Sequence, residues 1–417
     1  MNTDLSCKNL IGINGLGRIG KLTLWYHLLN RKFDGIVVNV GREVGKSLND
    51  LIQTISSDTT YCTLNHFLYG YSGKTCSIKI QDRENSVIEI DGFPIKFLKK
   101  DRNPRDINWK KEGVRLVVEC TGKFLDPTIP DSTAKGSVLG HLAAGAQKVI
   151  ASAPFKIKNK AITDTSKYPT LIYGINHLDY DPIEHEVISA ASCTTTGLAH
   201  MINPLLEDKE TNDILTASMT TVHAATNTQS VLDSVPGTRA GDLRKNRSVL
   251  NNIILSTTGA AKTLEKVLPQ IISFGFMADS IRIPTSTVSM ISLNITFNSR
   301  LDEDAMPILN GDYINNIYKM VAKGSQKGLL HFSTRQNVSS DLLGFPAAII
   351  IEGQATHTRT GFLKVSSDAL SAVGIQNPQD INIPVTHAKI MGWYDNEYGS
   401  YVNSLGKLTE YVASHMG

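Results

Sequence analysis

The feature that most constrains this 417-residue chain is a glycine-rich motif that follows directly on a short apolar run. The run ends at Asn14, residues 15–20 have the form GxGxxG, and apolar residues at helical spacing come next. Between a strand and a helix, Gly15 permits a tight turn, Gly17 lets the backbone approach a pyrophosphate, and Gly20 lets helix and strand pack closely. The motif therefore predicts dinucleotide binding at the helix N-terminus, and a purely structural turn is the alternative.

The end of the second predicted strand bears on the choice of cofactor. An acid at this point binds the adenosine ribose of NAD, but residues 39–42 read Asn, Val, Gly, Arg and no acid occurs before Glu43. A missing carboxylate removes repulsion against a 2′-phosphate, and Arg42 can pair with that group. The pattern favours NADP or dual use. A solvated Arg42 with NAD as the cofactor stays open.

Strand and helix patterns alternate up to about residue 192. A buried strand over 115–120 ends in the small residues Thr121 and Gly122, which we expect at the carboxyl end of a parallel sheet, where a dinucleotide binds. Further strand patterns occupy 77–81, 87–90, 94–98 and 148–151. The alternation predicts a doubly wound α/β domain.

Cys193 lies where a predicted strand over 186–190 gives way to a predicted helix over 194–207. The unpaired N–H groups and the dipole at a helix N-terminus favour a thiolate, so we expect this position to lower the pKa of the thiol. A buried structural cysteine is the alternative.

A histidine and several hydroxyl and arginine side chains follow the cysteine. A strand over 214–222 delivers His223, whose imidazole is a candidate general base, although a histidine at a strand end is often structural. A helical pattern over 248–266 is interrupted by the small polar run 256–261, and Arg282 is expected in a turn. Such groups suit phosphate binding, but clustered threonines near a helix start also fit capping.

Composition excludes several classes of protein. The net charge of +3 is too small to indicate a nucleic-acid or membrane-surface partner, and no apolar run reaches membrane-spanning length. Five cysteines with no CxxC pair disfavour a disulfide framework and a structural zinc site, so no metal site is predicted. The N-terminus has no signal-peptide pattern. We expect a protein of the reducing cytoplasm.

Taken together, these motifs resemble the glyceraldehyde-3-phosphate dehydrogenase family. The matching segments occur in one order across nearly the whole chain: residues 14–20, 119–122, 191–195, 221–224, 256–262, 282–285 and 393–397. The resemblance implies a Rossmann-type NAD(P)-binding domain over 1–192 and an α+β catalytic domain with a mostly antiparallel sheet over 193–390. It also implies a C-terminal helix, within 391–417, that returns to the first domain, and a homotetramer with the loop over 226–248 near the cofactor and a subunit interface.

The family's mechanism assigns roles to individual residues of this chain. Cys193 attacks glyceraldehyde 3-phosphate, His223 accepts the hydroxyl proton, hydride passes to NAD or NADP, and phosphate releases 1,3-bisphosphoglycerate from a thioester. The residues that match cofactor ligands are Asn14, Gly15, Gly17, Arg18, Ile19, Gly20, Arg42, Thr121, Gly122 and, for the nicotinamide carboxamide, Asn396. Those that match phosphate ligands are Ser192, Thr194, Thr226, Arg247, Thr258, Gly259 and Arg282.

The chain also departs from the family pattern. The family usually has Asn at 190 and 196, Cys at 197, an acid near 40 and an aromatic residue near 400, where this chain has Ala, Thr, Gly, Val and Ser. Extra residues occur around 41–75 and 126–140. Two alternatives stay open: an erythrose-4-phosphate dehydrogenase that releases the thioester with water, and a catalytically reduced nucleotide-binding regulatory homologue.

Overall fold

The computed structural model describes residues 9–159, 161–238 and 241–416, so Cys7 lies outside the described residues. The chain divides into two compact units, residues 1–192 with 397–417 and residues 193–396. The segment predicted over 391–417 therefore begins too early. Residues 391–394 complete the last strand of the second unit, where they are held by sheet hydrogen bonds.

The first unit alternates strands and helices along the chain. Its strands are β1 (Leu10–Asn14), β2 (Gly35–Asn39), β3 (Ser57–Asp58), β4 (Cys62–Thr63), β5 (Ile78–Asp82), β6 (Val87–Ile90), β7 (Phe93–Leu98), β8 (Val114–Glu119), β9 (Lys148–Ala151) and β10 (Val187–Ser189). Its helices before residue 192 are α1 (Arg18–Asn30), α2 (Leu48–Ser56), α3 (Leu64–Tyr69) and α4 (Gly140–Ala143), with short 3₁₀ turns at Pro104–Asp106 and His177–Asp179.

The main sheet of the first unit has the order β10-β9-β8-β1-β2-β7-β6-β5. Neighbouring strands pair in parallel, except that β6 near one edge pairs antiparallel with both β5 and β7. β1 and β2 are buried along their whole length, as expected for parallel strands in the middle of such a sheet. Asn14 at the end of β1 is in register with Asn39 on one side and Glu119 on the other, so three strand ends meet at one edge. This is the predicted doubly wound α/β fold.

The second unit is built on a mostly antiparallel sheet. Its helices are α5 (Cys193–Glu207), α6 (Ala260–Val267), α7 (Gly311–Lys323) and α8 (Ser367–Ala372). Its strands are β11 (Ile214–Ala224), β12 (Ile254–Thr257), β13 (Phe276–Ile283), β14 (Ser289–Asn298), β15 (Leu330–Ser333), β16 (Ile349–Glu352), β17 (His357–Val365) and β18 (Ile381–Tyr394). The sheet order is β12-β13-β11-β14-β18-β16-β15, with β17 paired to β18.

Two local predictions for the second unit are wrong. The helical pattern over 248–266 is helical only from Ala260, and Ile254–Thr257 instead pair with β13 as an edge strand. Arg282 lies in β13 rather than in a turn, with His223 beside it in the parallel strand β11. In both places long-range sheet hydrogen bonds override the local pattern.

The chain closes with helix α9 (Asn403–Ser414), which belongs to the first unit. A Cβ added at Gly406 would lie 2.1 Å from a ring carbon of Tyr26 in α1, so glycine lets the two helices approach closely. Across the described residues, no helix combines the length and apolar character that crossing a membrane requires.

Candidate active site

Helix α5 begins at Cys193, so the thiol lies at a helix N-terminus as predicted. Two residues earlier, Ala191 has a φ of 56°, a left-handed conformation that non-glycine residues rarely adopt. Its carbonyl accepts a hydrogen bond of 3.2 Å from the Tyr401 hydroxyl, which helps to hold this turn. Strain of this kind is found at functional sites, where the surrounding structure maintains it.

His223 faces the thiol of Cys193. Its Nε2 lies 3.6 Å from Sγ, while its Nδ1 lies 2.8 Å from the Ala224 carbonyl oxygen and 2.5 Å from Nη1 of Arg282. A guanidinium can only donate, so Nδ1 cannot serve both neighbours at once. When Nδ1 donates to Ala224, Nε2 is left to accept a proton from the thiol. The tautomer of His223 therefore depends on where Arg282 donates.

The protonation states of this pair follow from burial. Burial and the charge of Arg282 lower the pKa of His223 to about 3, although the Ala224 hydrogen bond opposes them, so the imidazole is neutral at physiological pH. Burial raises the pKa of Cys193, and the Thr194 hydroxyl and Arg282 only partly offset it. The predicted lowering of the thiol pKa is thus wrong, because desolvation outweighs the favourable surroundings. A neutral thiol faces a neutral base.

Tyr394 connects the helix that carries the thiol to the strand that carries the imidazole. The sequence patterns did not single out this tyrosine. Its buried hydroxyl lies 2.9 Å from Oγ1 of Thr194 in the first turn of α5 and 2.7 Å from Oγ1 of Thr221 in β11. Thr221 and His223 are two residues apart in that strand, so their side chains share a face. Tyr394 thereby links the element that carries Cys193 to the element that carries His223.

The first unit holds a cleft at the ends of β1, β2 and β8. The cavity has a volume of about 750 Å³ and is lined by Asn14, Gly15, Asn39, Val40, Arg42, Arg102, Asn103, Thr121, Lys123, Phe124, Ile129, Ala134, Lys135, Gly136 and Lys158. Its position outside the carboxyl ends of parallel strands is where dinucleotides bind in this type of sheet.

The glycines of the GxGxxG motif fit a dinucleotide at this cleft. Gly15 has a φ of +98°, and a Cβ on Gly20 would lie 1.9 Å from the Gly15 carbonyl oxygen, so no side chain is tolerated there. A Cβ on Gly17 would meet nothing within 4 Å, which leaves room beside the backbone. Arg18 and Ile19 open helix α1, so their N–H groups are available to a pyrophosphate. The residues present therefore fit the predicted cofactor.

Two parts of the chain match models of known protein families. Residues 9–127 match the family model described as the NAD binding domain of glyceraldehyde 3-phosphate dehydrogenase, and residues 192–396 match the model of its C-terminal domain. The chain belongs to the glyceraldehyde-3-phosphate dehydrogenase family. It is 34% identical over 408 residues to a protein of that name from Streptomyces coelicolor, with 97% of this chain and 99% of the relative covered. A Bacillus cereus relative is 31% identical over 404 residues, covering 97% and 98%.

Membership of the glyceraldehyde-3-phosphate dehydrogenase family confirms the predicted family and fold. It also makes the protein an oxidoreductase with an NAD-binding domain. The matched C-terminal model begins at residue 192 and so contains both Cys193 and His223.

Arg282, which contacts His223, and Thr285 each have a buried polar atom to which an anion could bind. The Nε atom of Arg282 and the hydroxyl of Thr285 are buried and have no hydrogen-bond partner among the described residues. Burial also lowers the pKa of Arg282, because removing water from around a cation destabilises its charged form. A bound anion would offset this loss of hydration. A phosphate oxygen would supply the missing acceptor for Arg282.

Most of the other predicted phosphate residues have hydrogen bonds or ion pairs of their own. The Thr226 hydroxyl and N–H bind Gln229, Arg247 is exposed and pairs with Asp233, and Thr258 caps helix α6 through the N–H of Ala260. Gly259 is the N-cap residue of α6, and Ser192 lies in the turn before α5. The capping alternative for Thr258 is thus observed.

Asn396 has an oriented side-chain amide. Its oxygen accepts hydrogen bonds from Ser289, at 3.0 Å, and from Thr287, at 3.2 Å. The Ser289 hydroxyl also accepts the N–H of Ala224, next to His223. The hydrogen bonds to this side chain from Ser289 and Thr287 both go to its oxygen. The amide NH₂ is therefore the group that is available to a ligand.

A buried carboxylate, Glu119, supports the cofactor cleft and was not singled out from the sequence. It accepts hydrogen bonds from the Asn14 amide, at 2.5 Å, from the N–H and hydroxyl of Thr121, and from Nε2 of His141, at 3.0 Å. Nδ1 of His141 accepts a bond from Trp109, which leaves the ring proton on Nε2. Glu119 thus orients two cleft residues, Asn14 and Thr121. Gly122, with a φ of +66°, continues the turn.

Arg18 is oriented by carboxylates rather than directed at a ligand. Its guanidinium forms ion pairs with Asp58 and Glu397. Burial alone lowers its pKa, but these two carboxylates outweigh burial and leave the pKa above its usual range. The side chain therefore fixes the start of α1, and only the backbone of Arg18 is left for the cofactor.

Proposed function

We propose that this protein oxidises glyceraldehyde 3-phosphate to 1,3-bisphosphoglycerate with NAD(P), in a reversible, phosphorylating reaction. The observation that carries the proposal is the contact of 3.6 Å between Sγ of Cys193 and Nε2 of His223, in a chain that belongs to this family. A nucleophile beside a neutral base, with an arginine ready for phosphate, is the arrangement that the reaction needs. The same contact disfavours a catalytically reduced regulatory homologue.

The first step forms a covalent adduct on Cys193. His223 takes the thiol proton through Nε2 while sulfur attacks the aldehyde carbon, so a C–S bond forms and the carbonyl π electrons move to oxygen. The Cys193 N–H and the protonated His223 stabilise this oxyanion, and His223 then protonates it to a hydroxyl. Phosphate binding to Arg282 would favour this step, because it releases Nδ1 of His223 to donate to Ala224.

Oxidation converts this adduct into a thioester. The nicotinamide of NAD(P), when bound, supplies the hydride acceptor. As the C–H bond breaks, His223 accepts the hydroxyl proton, and the carbonyl forms again on carbon bound to Sγ. Inorganic phosphate then attacks the thioester carbon, the C–S bond breaks, and the acyl phosphate leaves. The departing sulfur takes back the proton held by His223, which restores the thiol and the neutral imidazole.

Two groups of residues recognise phosphate in this proposal. Arg282 and Thr194 act beside the nucleophile, and Ser192, Thr226, Arg247, Thr258 and Gly259 supply further hydroxyl, backbone and cationic contacts. Asn396 binds the nicotinamide carboxamide through its NH₂ group. Three strongly exposed apolar residues on the loop over 226–248, Val231, Leu232 and Val235, support the homotetramer expected of this chain.

The cofactor assignment favours NADP or dual use over strict NAD use. Arg42 lines the cleft at the end of β2, while Glu43, the first acid after that strand, forms an ion pair of 3.1 Å with Lys99. Neither Asp nor Glu is among the described lining residues of the cleft. A 2′-phosphate would therefore meet a cation and no carboxylate.

Reversing the charge at this position is expected to reverse the preference. Arg42→Asp should lower the ratio of kcat/KM for NADP to that for NAD by about tenfold or more, because a charge-assisted hydrogen bond is lost and repulsion is added. Arg83→Asp is the matched control, since this exposed arginine makes the same charge change outside the cleft. Equal ratios in the wild type and Arg42→Asp would remove the NADP assignment.

The activity itself is tested by NAD(P)H formation with glyceraldehyde 3-phosphate, with and without phosphate or arsenate. We expect turnover to depend on the added anion with at least one of the two cofactors. No anion-dependent NAD(P)H formation would reject the proposal. Anion-independent turnover with erythrose 4-phosphate would instead indicate that water releases the thioester.

A further inference from the structure

The segment over 126–136, within the region around 126–140 where extra residues are expected, is fixed against the cofactor cleft. The carboxylate of Asp126 is buried at its start. One oxygen accepts bonds from the N–H and hydroxyl of Thr128, at 3.1 and 2.6 Å, and the other accepts the N–H of Lys158, at 3.0 Å. These bonds define the path of the segment and place Lys158 beside it.

The other end of the segment, at Gly136, is also held in place by close packing and a hydrogen bond. Gly136 has a φ of +78°, and a Cβ there would lie 2.9 Å from both Phe124 and Pro104. Its N–H donates to the Thr133 carbonyl at 2.8 Å. Within the segment, Ile129, Ala134, Lys135 and Gly136 line the cleft. This segment therefore forms one wall of the candidate cofactor site.

This wall contributes cations to a cleft that already contains Arg42. The basic residues that line the cleft are Arg42, Arg102, Lys123, Lys135 and Lys158. Each is exposed, and none forms an ion pair with a carboxylate of the described chain. Nε of Arg102 donates to the Gly41 carbonyl at 3.0 Å, which places its side chain along the residue that precedes Arg42. The cluster carries a net positive charge at the mouth of a nucleotide-sized cavity, with the Asp126 carboxylate close to Lys158.

The cleft also offers contacts that suit a nucleoside. Ile129, Ala134 and Phe124 provide apolar surface for a purine, and Oδ1 of Asn39 is buried with no partner in the described part of the chain. A ribose hydroxyl would satisfy that oxygen. Apolar surface, an acceptor for ribose and several exposed cations together indicate a ligand that carries adenosine and extra phosphate.

We propose that the segment over 126–136, through Lys135, acts with Lys158 and Arg42 as a binding surface for the 2′-phosphate of NADP. The inference rests on the proposed function and deepens it, because the cofactor preference then depends on residues outside the strand–turn–helix motif. Arg42 supplies a cation from the β2 end of the cleft, Lys135 supplies one from the segment, and Lys158 supplies one from the residues beside it. Lys135 and Lys158 are specificity-determining residues that do not touch the aldehyde.

The test measures binding of adenosine 2′,5′-bisphosphate and of AMP by isothermal titration calorimetry. These two nucleotides differ only by the 2′-phosphate, and neither needs the aldehyde or hydride transfer. The full-length wild type is expected to bind the bisphosphate at least about tenfold more tightly than AMP. The double variant Lys135→Ala/Lys158→Ala should lose most of that difference while AMP binding changes less than about twofold.

Lys156→Ala is the matched control, since Lys156 is exposed, close in sequence and not part of the lining. It should retain the wild-type difference. The inference is overturned if wild-type protein binds both nucleotides equally, if the double variant weakens both equally, or if the double variant leaves the difference intact. Loss of aldehyde oxidation in the activity assay would reject the proposed function but would leave this binding result unaffected.

Discussion

Cys193→Ser is expected to reduce kcat by about 10⁵-fold or more while NAD(P) still binds. Loss of a covalent nucleophile has an effect of this size in enzymes that act through an acyl intermediate. A serine hydroxyl is a much weaker nucleophile, and the single histidine beside it is neutral with a low pKa. Cys193 is not among the described lining residues of the cofactor cleft, so the affinity for the cofactor should change little.

Steady-state assays and cofactor titrations measure the two parts of this prediction. Cys62→Ser is the matched control, because that cysteine is exposed in the first unit and should leave kcat unchanged. A rapid-mixing experiment should show a burst of NAD(P)H in the wild type and none in Cys193→Ser. Wild-type turnover in Cys193→Ser would show that another group forms the covalent intermediate.

His223→Asn is expected to lower kcat by about 10²- to 10⁴-fold, the usual contribution of a general base. The effect should be large here because burial keeps Cys193 as a thiol, so the thiolate forms only when a base removes its proton. In the wild type the pKa of His223 is about 3, so the base stays unprotonated between pH 5 and 8 and causes no loss of rate in that interval. In the variant, the burst rate should rise steeply with pH as the thiol ionises without help.

The burst rate as a function of pH measures this result. His357→Asn, at an exposed position at the start of β17, provides a control with the same substitution in the same unit. A burst rate in His223→Asn equal to the wild type at pH 7 would exclude His223 as the base. A wild-type burst rate that falls tenfold between pH 8 and pH 6 would instead contradict the low pKa of His223, because the base would then be gaining a proton in that interval.

Local sequence patterns predicted the elements whose residues interact with near neighbours. The GxGxxG motif, the strand that ends at Glu119 and the helix that begins at Cys193 all depend on residues adjacent in the chain. The edge strand Ile254–Thr257 was missed because its hydrogen bonds are made with β13, whose paired residues lie 22 to 28 positions later in the chain. Its apolar spacing resembles that of a helix, and only sheet pairing distinguishes the two.

The sequence alone determined the family, the doubly wound fold of the first unit and the identity of the candidate nucleophile and base. Each is encoded by residue types at short spacings, which the chemistry of turns, strands and helix ends restricts. The tertiary structure decided which residues form hydrogen bonds with one another and how burial shifts their pKa values. Tyr394 links Thr194 to Thr221, Glu119 orients Asn14, and burial raises rather than lowers the pKa of Cys193. The physical reason is that desolvation and hydrogen bonding depend on atoms that are distant in the chain and close only after folding.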